Sequence, residues 1–227
     1  PNGRFVSRVQ GATHGNVLLR KAQYALSDDE GWSMHVAQLM IAAKIQNCRN
    51  ILRRYIRDYG ECQEVDDAVR VLDANKRYAL HAEDKTKLMG FEGIASNAYF
   101  EVLPKLILNQ KEYFPFNGRN RRPPKDAVNA MLSLAYTLIA NDCAAALETV
   151  GLDPYVGFLH ALRPGRTSLA LDMMEEFRAY LGDRFVLSLI NKRQITPKDF
   201  LYQGDNGVVL TDKGRKTFIT AWQNRKR

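Results

Sequence analysis

The sequence predicts a mainly α protein: a helical domain with a short β remnant at its front and a small hairpin near its back. Three observations predict it. Long stretches place apolar residues at the i, i+3, i+4 spacing of a helix face. Period-two alternation is confined to residues 1–10 and to a short segment near residue 205. Turn-forming Pro, Gly and Asn mark the loops between those stretches, as in residues 113–124.

The elements follow in order. PNGRFVSRVQ, residues 1–10, joins a turn to strand-like alternation, and Gly11 to Gly15 is a loop. NVLLRKAQYAL is a short element that spacing does not assign to either type. Asp28 and Asp29 then precede a helix from about Ser33 to Tyr59, which Gly60 ends. Its Arg49, Arg53 and Arg57 lie at i, i+4 and i+8 and form one basic face, open to two readings: a solvated face or a nucleic-acid contact. After an acidic stretch, residues 61–67, VDDAVRVLDANKRYALHAED continues as helix. KTKLMGFEGIASNAYFEVLPKLI is helical to about Pro104. YFPFNGRNRRPP, residues 113–124, is a loop that sets Arg119, Arg121 and Arg122 beside aromatic rings. A helix from about Lys125 to Val150 leads into GFLHALRPGRTSLALDMMEEFR and then RFVLSLINKRQI. DFLYQ-GDN-GVVL is a hairpin, and a last helix after Thr211 ends in the basic tail Arg225, Lys226, Arg227.

Composition narrows the partners. With 33 basic and 25 acidic residues the net charge is +8, which favours a polyanion, nucleic acid first. Cys48, Cys62 and Cys143 are odd in number, far apart and outside any CxxC pattern, so they read as reduced thiols of a cytoplasmic protein rather than a disulfide frame or zinc site. No apolar run reaches the roughly 20 residues of a membrane span, and no signal peptide is visible. The start at Pro1 reads as a fragment or a processed product.

One carboxylate stands where an apolar residue is expected. Leu88, Glu92, Ser96, Tyr99 and Leu103 share a helical stripe, flanked by Met89 and Ala95. An unpaired buried carboxylate costs several kcal/mol or stays neutral. Glu92 therefore needs a partner: an arginine, a hydrogen-bond network or a cation. The small residues Gly90, Gly93, Ala95, Ser96 and Ala98 around it leave room for another chain or a nucleic-acid backbone. A structural salt bridge and a functional carboxylate are both open.

The helix after the Pro-Gly break has an apolar stripe of Ala170, Met173, Met174, Phe177 and Leu181. Asp172 and Glu175 share the face away from it, and Glu176 lies near its edge. Periodicity alone makes those acids a solvated face. His160 stands among apolar residues and reads by itself as a core histidine. No HExxH pattern and no second histidine at ligand spacing are present, which argues against zinc. Carboxylates with one imidazole suit Mg²⁺ or Mn²⁺, and the basic loops add phosphodiester chemistry on nucleic acid to what such an ion could serve.

These blocks resemble a known family. GFEGIASNAYFEVL, RNRRPPKDAVNAMLSLAYTLI, GLDPYVGFLHALRPGRTSLALDMMEEFR and VLSLINKRQI, in this order, are similar to the CRISPR adaptation integrases. The resemblance covers nearly the whole chain. It implies an N-terminal β-rich domain, of which residues 1–26 are the end and linker, followed by an all-helical catalytic domain over residues 27–227. It implies a metal-dependent DNA endonuclease and integrase that inserts short foreign DNA into a CRISPR array, the 3′-hydroxyl of the fragment attacking a phosphodiester. By the same resemblance Glu92, His160 and Glu175 are ligands of Mg²⁺ or Mn²⁺, and Asp172 is a nearby acid needed for activity. Arg163, Arg166, Arg119, Arg121 and Arg122 would bind phosphates, solvated loop charges being the other reading. Asn129 and Ser168 fall in family-like blocks without a physical reason in the sequence. Partners implied are prespacer, repeat and branched DNA, a second copy of the chain as a homodimer, and a small ferredoxin-like protein. Two other readings remain: a non-catalytic helical DNA-binding module, and a protein-interaction scaffold.

Overall fold

The computed structural model describes residues 17–226. The strand expected over residues 1–10 lies outside them. The described chain is mainly helical, its only strands forming one two-stranded hairpin among the described residues. The stretch left unassigned by spacing is helix α1, Val17–Asp28, followed by α2, Glu30–Tyr59. Asp29 caps α2 by accepting the Trp32 N–H at 2.8 Å, and Gly60, at φ 94°, lets the chain leave it. α3, Gln63–Leu80, and α4, Lys85–Val102, fold back against it. Asp84 caps α4 and Asp126 caps α5, Ala127–Val150, each accepting an N–H of the first turn.

α6, Ser168–Phe177, runs without a break into a π-helical turn, Arg178–Asp183, and on into α7, Arg184–Asn191. Single π turns inside α-helices concentrate at functional sites. β1, Phe200–Tyr202, and β2, Val208–Leu210, pair antiparallel with Phe200 opposite Leu210, confirming the hairpin. α8, Asp212–Lys226, closes the fold.

One core joins these elements. α2 contributes Ala37, Ile41, Ile45 and Leu52; α3 adds Val65 and Leu72; α4 adds Leu88, Ala95 and Tyr99; α5 adds Met131, Leu132 and Ala135. Each is nearly inaccessible, so truncating a leucine among them to alanine costs about 2–5 kcal/mol. α2 packs on α3, α4 and α6, while α5 covers the other side of α6. α6 is therefore wrapped on two sides, a fact that decides the burial of its acids.

By length and composition α5 could cross a membrane. This differs from the expectation that no apolar run is long enough for a membrane span. Here its face of Ala127, Val128, Met131, Ala135 and Ile139 is packed in the core. Cys48, Cys62 and Cys143 are free thiols, and burial pushes those of Cys48 and Cys143 up, the latter to about 11.

Candidate metal centre

Glu92 on α4 and Glu175 on α6 meet on one cation, the ammonium of Lys44 on α2. Lys44 donates to Glu92 Oε1 in a short contact, and its Nζ lies 2.7 Å from Glu175 Oε2. Ser96 donates its hydroxyl to the same Glu92 oxygen at 2.7 Å. Arg178 reaches the other oxygen of Glu175 at 3.0 Å. Glu175 Oε2 is buried, and no well-directed hydrogen bond satisfies it despite the nearby ammonium.

The electrostatics follow from this crowding. Burial pushes the Glu175 carboxyl up, but the Lys44 and Arg178 cations outweigh it and hold the group below the usual carboxylate range. Burial likewise disfavours the Lys44 ammonium, yet Glu175 and Glu92 hold it charged and raise its pKa. Two carboxylates and two cations balance, and isolated buried charges of this kind would be costly.

Lys44 went unrecognised in the sequence. The signal was present: Ala37, Ile41, Lys44, Cys48 and Leu52 occupy one face of α2, so Lys44 interrupts an apolar stripe as Glu92 does on α4. Met89, expected beside the Glu92 stripe, is instead 45% exposed. A Cβ added to Gly90 or Gly93 meets nothing within 4 Å, so these glycines open to space, but on faces of α4 away from Glu92, whose side chain is 14% exposed.

The face assigned to Asp172 and Glu175 is corrected. Both are buried, at 0% and 4% relative exposure, because α6 lies between α2 and α5. Periodicity within one helix cannot reveal that both of its sides are covered. Met173 and Phe177, placed in the apolar stripe, are only half-buried, as is Glu176.

Asp172 serves as the anchor of the His160 loop. Its Oδ2 accepts the backbone N–H groups of Phe158 at 2.7 Å and Leu159 at 2.9 Å. Its Oδ1 accepts the backbone N–H of His160 at 3.0 Å and lies 2.6 Å from the ring Nδ1. A carboxylate receiving backbone N–H groups is acceptor-only, so the ring places its proton on Nδ1 and leaves Nε2 as the open nitrogen. Gly157 is required for this approach: a Cβ there would stand 2.5 Å from Asp172 Oδ2.

Neighbouring helices hold the same loop. Ser33 of α2 and Lys85 of α4 donate to the Phe158 carbonyl at 3.0 and 2.6 Å. From α1, Gln23 donates to the carbonyls of Asp153 and Val156 at 2.8 and 2.9 Å. Ser168, buried at the start of α6, donates to the Ala161 carbonyl at 3.2 Å, which gives that residue its structural reason. The His160 side chain is 20% exposed.

The arginines separate into two groups. Arg119 donates to the Asn120 carbonyl at 2.5 Å, to Asn129 Oδ1 at 2.6 Å and to Ser133 at 3.1 Å, and lies over the Tyr136 ring. It pins the 113–124 loop to α5, and buried Asn129 is the hub of that attachment, bonded also to Gly118 and Asp126. Arg121, Arg122 and Arg163 are exposed, Arg166 is half-buried, and among the described residues their side chains have no protein partner. On α2 Arg49 is paired with Asp73 at 2.6 Å and Arg57 with Asp58 at 2.9 Å, while Arg53 stays exposed.

Behind the centre, Tyr136 is stacked between the guanidinium groups of Arg119 and Arg178, 5.2 and 5.0 Å from its ring centroid. Its hydroxyl donates to Asp183 at 2.5 Å. Burial raises the Asp183 carboxyl to about 6, against the opposing pull of that hydrogen bond. Arg178 thus links Glu175 to this buried network.

Among the described residues no three His, Cys, Asp or Glu side chains form a ready ligand cluster. The ammonium of Lys44 stands between Glu92 and Glu175, and His160 is turned to Asp172 on one side. These contacts define a helical protein in which acids from two helices share a buried cation and an imidazole is oriented by a third acid. The chain belongs to the family described as CRISPR associated protein Cas1, whose model matches residues 1–224. It is 47% identical over 228 residues to "CRISPR-associated endonuclease Cas1 1" of Chlorobaculum tepidum, covering 99% of this chain and 66% of that protein. It therefore spans about two thirds of the length of that relative. Among solved structures, a partial Cas6-RT-Cas1–Cas2 complex matches with a TM-score of 0.84 at 27% identity, over 98% of this chain and 67% of that chain. A casposase bound to integration product matches with a TM-score of 0.75 at 27% identity, over 92% of this chain and 60% of that chain.

Proposed function

We propose that the chain is the catalytic part of a metal-dependent DNA endonuclease and integrase of CRISPR adaptation, acting in the cytoplasm. The observation that carries this reading is the meeting of Glu92 and Glu175, from different helices, on the single ammonium of Lys44. The donor set supports a divalent ion. It has hard carboxylate oxygens, one of them buried without a directed hydrogen bond, and one imidazole, which suits Mg²⁺ or Mn²⁺. Glu92, His160 and Glu175 would hold the ion. Once bound, it would neutralise charge developing on a phosphate oxygen and position the attacking hydroxyl.

The remaining residues act around that ion. Asp172 fixes the tautomer and direction of His160, the role an outer carboxylate plays for a ligating imidazole. Lys44, and after it Arg178, keep Glu175 ionised. Arg121, Arg122, Arg163 and Arg166 would take flanking phosphates, whereas Arg119 is committed to the fold. The proposed substrates are a short duplex with a free 3′-hydroxyl and a CRISPR repeat. The proposed partners are a second copy of the chain and the small Cas2 protein, in keeping with the Cas1–Cas2 complex among the structural neighbours.

The test combines the protein, its small partner, a short 3′-hydroxyl duplex and a repeat-bearing plasmid in Mg²⁺ or Mn²⁺. Insertion is expected with the wild type and absent with His160→Ala or with a 3′-deoxy duplex. Equal insertion by His160→Ala would sink the assignment.

A further inference from the structure

One cation lies between Glu92 and Glu175, and it belongs to the protein. Lys44 Nζ contacts Glu92 Oε1 and stands 2.7 Å from Glu175 Oε2. A Mg²⁺ ion binds carboxylate oxygens at about 2.0–2.1 Å and would have to occupy the same space. Charge points the same way. With Lys44 and Arg178 present, the two carboxylates are already balanced by two cations. Adding a divalent ion without removing the ammonium would leave two uncompensated positive charges in a largely buried site. The lysine is itself 8% exposed, and its seat on α2 is fixed by the packing of Ile41, Ile45 and Cys48 around its turn.

We infer that Lys44 is a built-in stand-in cation, which neutralises the acid pair while no divalent ion is bound and is displaced from between Glu92 and Glu175 when one enters. The inference rests on the proposed metal centre. It assigns Lys44 a positioning role: the acids stay ionised and aimed at one point, and ion entry is an exchange of cations rather than the collapse of two repelling carboxylates. Nothing in the exchange requires proton transfer. A monovalent, tethered cation also sets a threshold, since the incoming ion must outcompete a neighbour of high effective concentration.

Two measurements test it. The first is mass-spectrometric footprinting of wild-type lysines with an amine-acylating reagent, with and without Mn²⁺, using the exposed Lys21 as internal reference. Lys44 is expected to be shielded without the ion and to label at least about fivefold faster with it. The second is Mn²⁺ binding by calorimetry to Lys44→Met. Loss of the competitor is expected to tighten binding about tenfold or more, and to lower the melting temperature of the ion-free protein, which Mn²⁺ then restores. If Mn²⁺ binds the wild type while Lys44 stays shielded, or if Lys44→Met binds Mn²⁺ no better than wild type, the stand-in role is wrong and the metal centre survives. If neither protein binds Mn²⁺, the metal centre itself is wrong, and this inference falls with it.

Discussion

Asp172 accepts the ring Nδ1–H of His160 at 2.6 Å while also accepting that residue's backbone N–H at 3.0 Å. One carboxylate thus holds both ends of the histidine. The backbone bonds to Phe158 and Leu159 place the loop, and the ring bond selects the tautomer. Asp172→Asn keeps the shape but loses the charge and offers a donor where four donors converge. Mn²⁺ affinity is expected to fall about 10–100-fold, as for other outer partners of metal-ligating histidines. Calorimetric titration checks it, and unchanged affinity would separate Asp172 from the centre.

Gly157→Ala attacks the same relationship through space. The new Cβ would lie 2.5 Å from Asp172 Oδ2 and 2.8 Å from the Ser168 backbone carbon. Both contacts are with backbone or a buried acid, so relief requires the loop to move. A loss of about 1–3 kcal/mol in chemical unfolding is expected, with weakened Mn²⁺ binding. A wild-type unfolding midpoint would contradict it.

Asp183 gives the stability a pH dependence. Its carboxyl is raised from 3.8 unfolded to about 6 in the fold by burial. A raised acid favours the folded state below the unfolded value and loses that contribution as pH climbs through the folded one. The stability of wild type relative to Asp183→Asn is therefore expected to fall by about 3 kcal/mol between pH 4 and pH 6 or slightly above. Urea unfolding of both proteins across that window measures it. A constant difference would show that Asp183 is not raised.

The arginines are expected to divide by readout. Arg121→Ala, Arg122→Ala, Arg163→Ala and Arg166→Ala should leave the melting temperature near wild type. Each should weaken binding to DNA of any sequence and reduce the salt slope by about 1 per contact. Arg119→Ala should instead destabilise the fold by about 1–3 kcal/mol, because buried Asn129 loses its charged donor. Fluorescence anisotropy against salt, with thermal unfolding alongside, distinguishes the groups.

Much of the fold was legible because single helices carry their own signals. α2, α5 and the hairpin were set by a capping aspartate, a terminating glycine or turn residues with apolar runs, and each appears close to its expected bounds. Glu92 was legible because a carboxylate in an apolar stripe demands a partner. Lys44 offered the same signal on α2, but a lysine in a helix is so often a solvated residue that the interruption passed unnoticed. Asp172 and Glu175 were illegible for another reason: the periodicity of α6 reports one apolar face, while α2 and α5 cover it from both sides. The Gly157 requirement also depends on a contact fifteen positions along the chain, from the loop to Asp172 of α6, which no local pattern contains.

The central claim is that Glu92, His160 and Glu175 hold one divalent ion. Anomalous diffraction from crystals soaked in Mn²⁺ tests it most directly. The expected result is a single strong peak at about 2 Å from a Glu92 oxygen, His160 Nε2 and a Glu175 oxygen, with the Lys44 ammonium withdrawn from between the acids. A map with no peak there, and Lys44 still bridging the two carboxylates at saturating Mn²⁺, would contradict it.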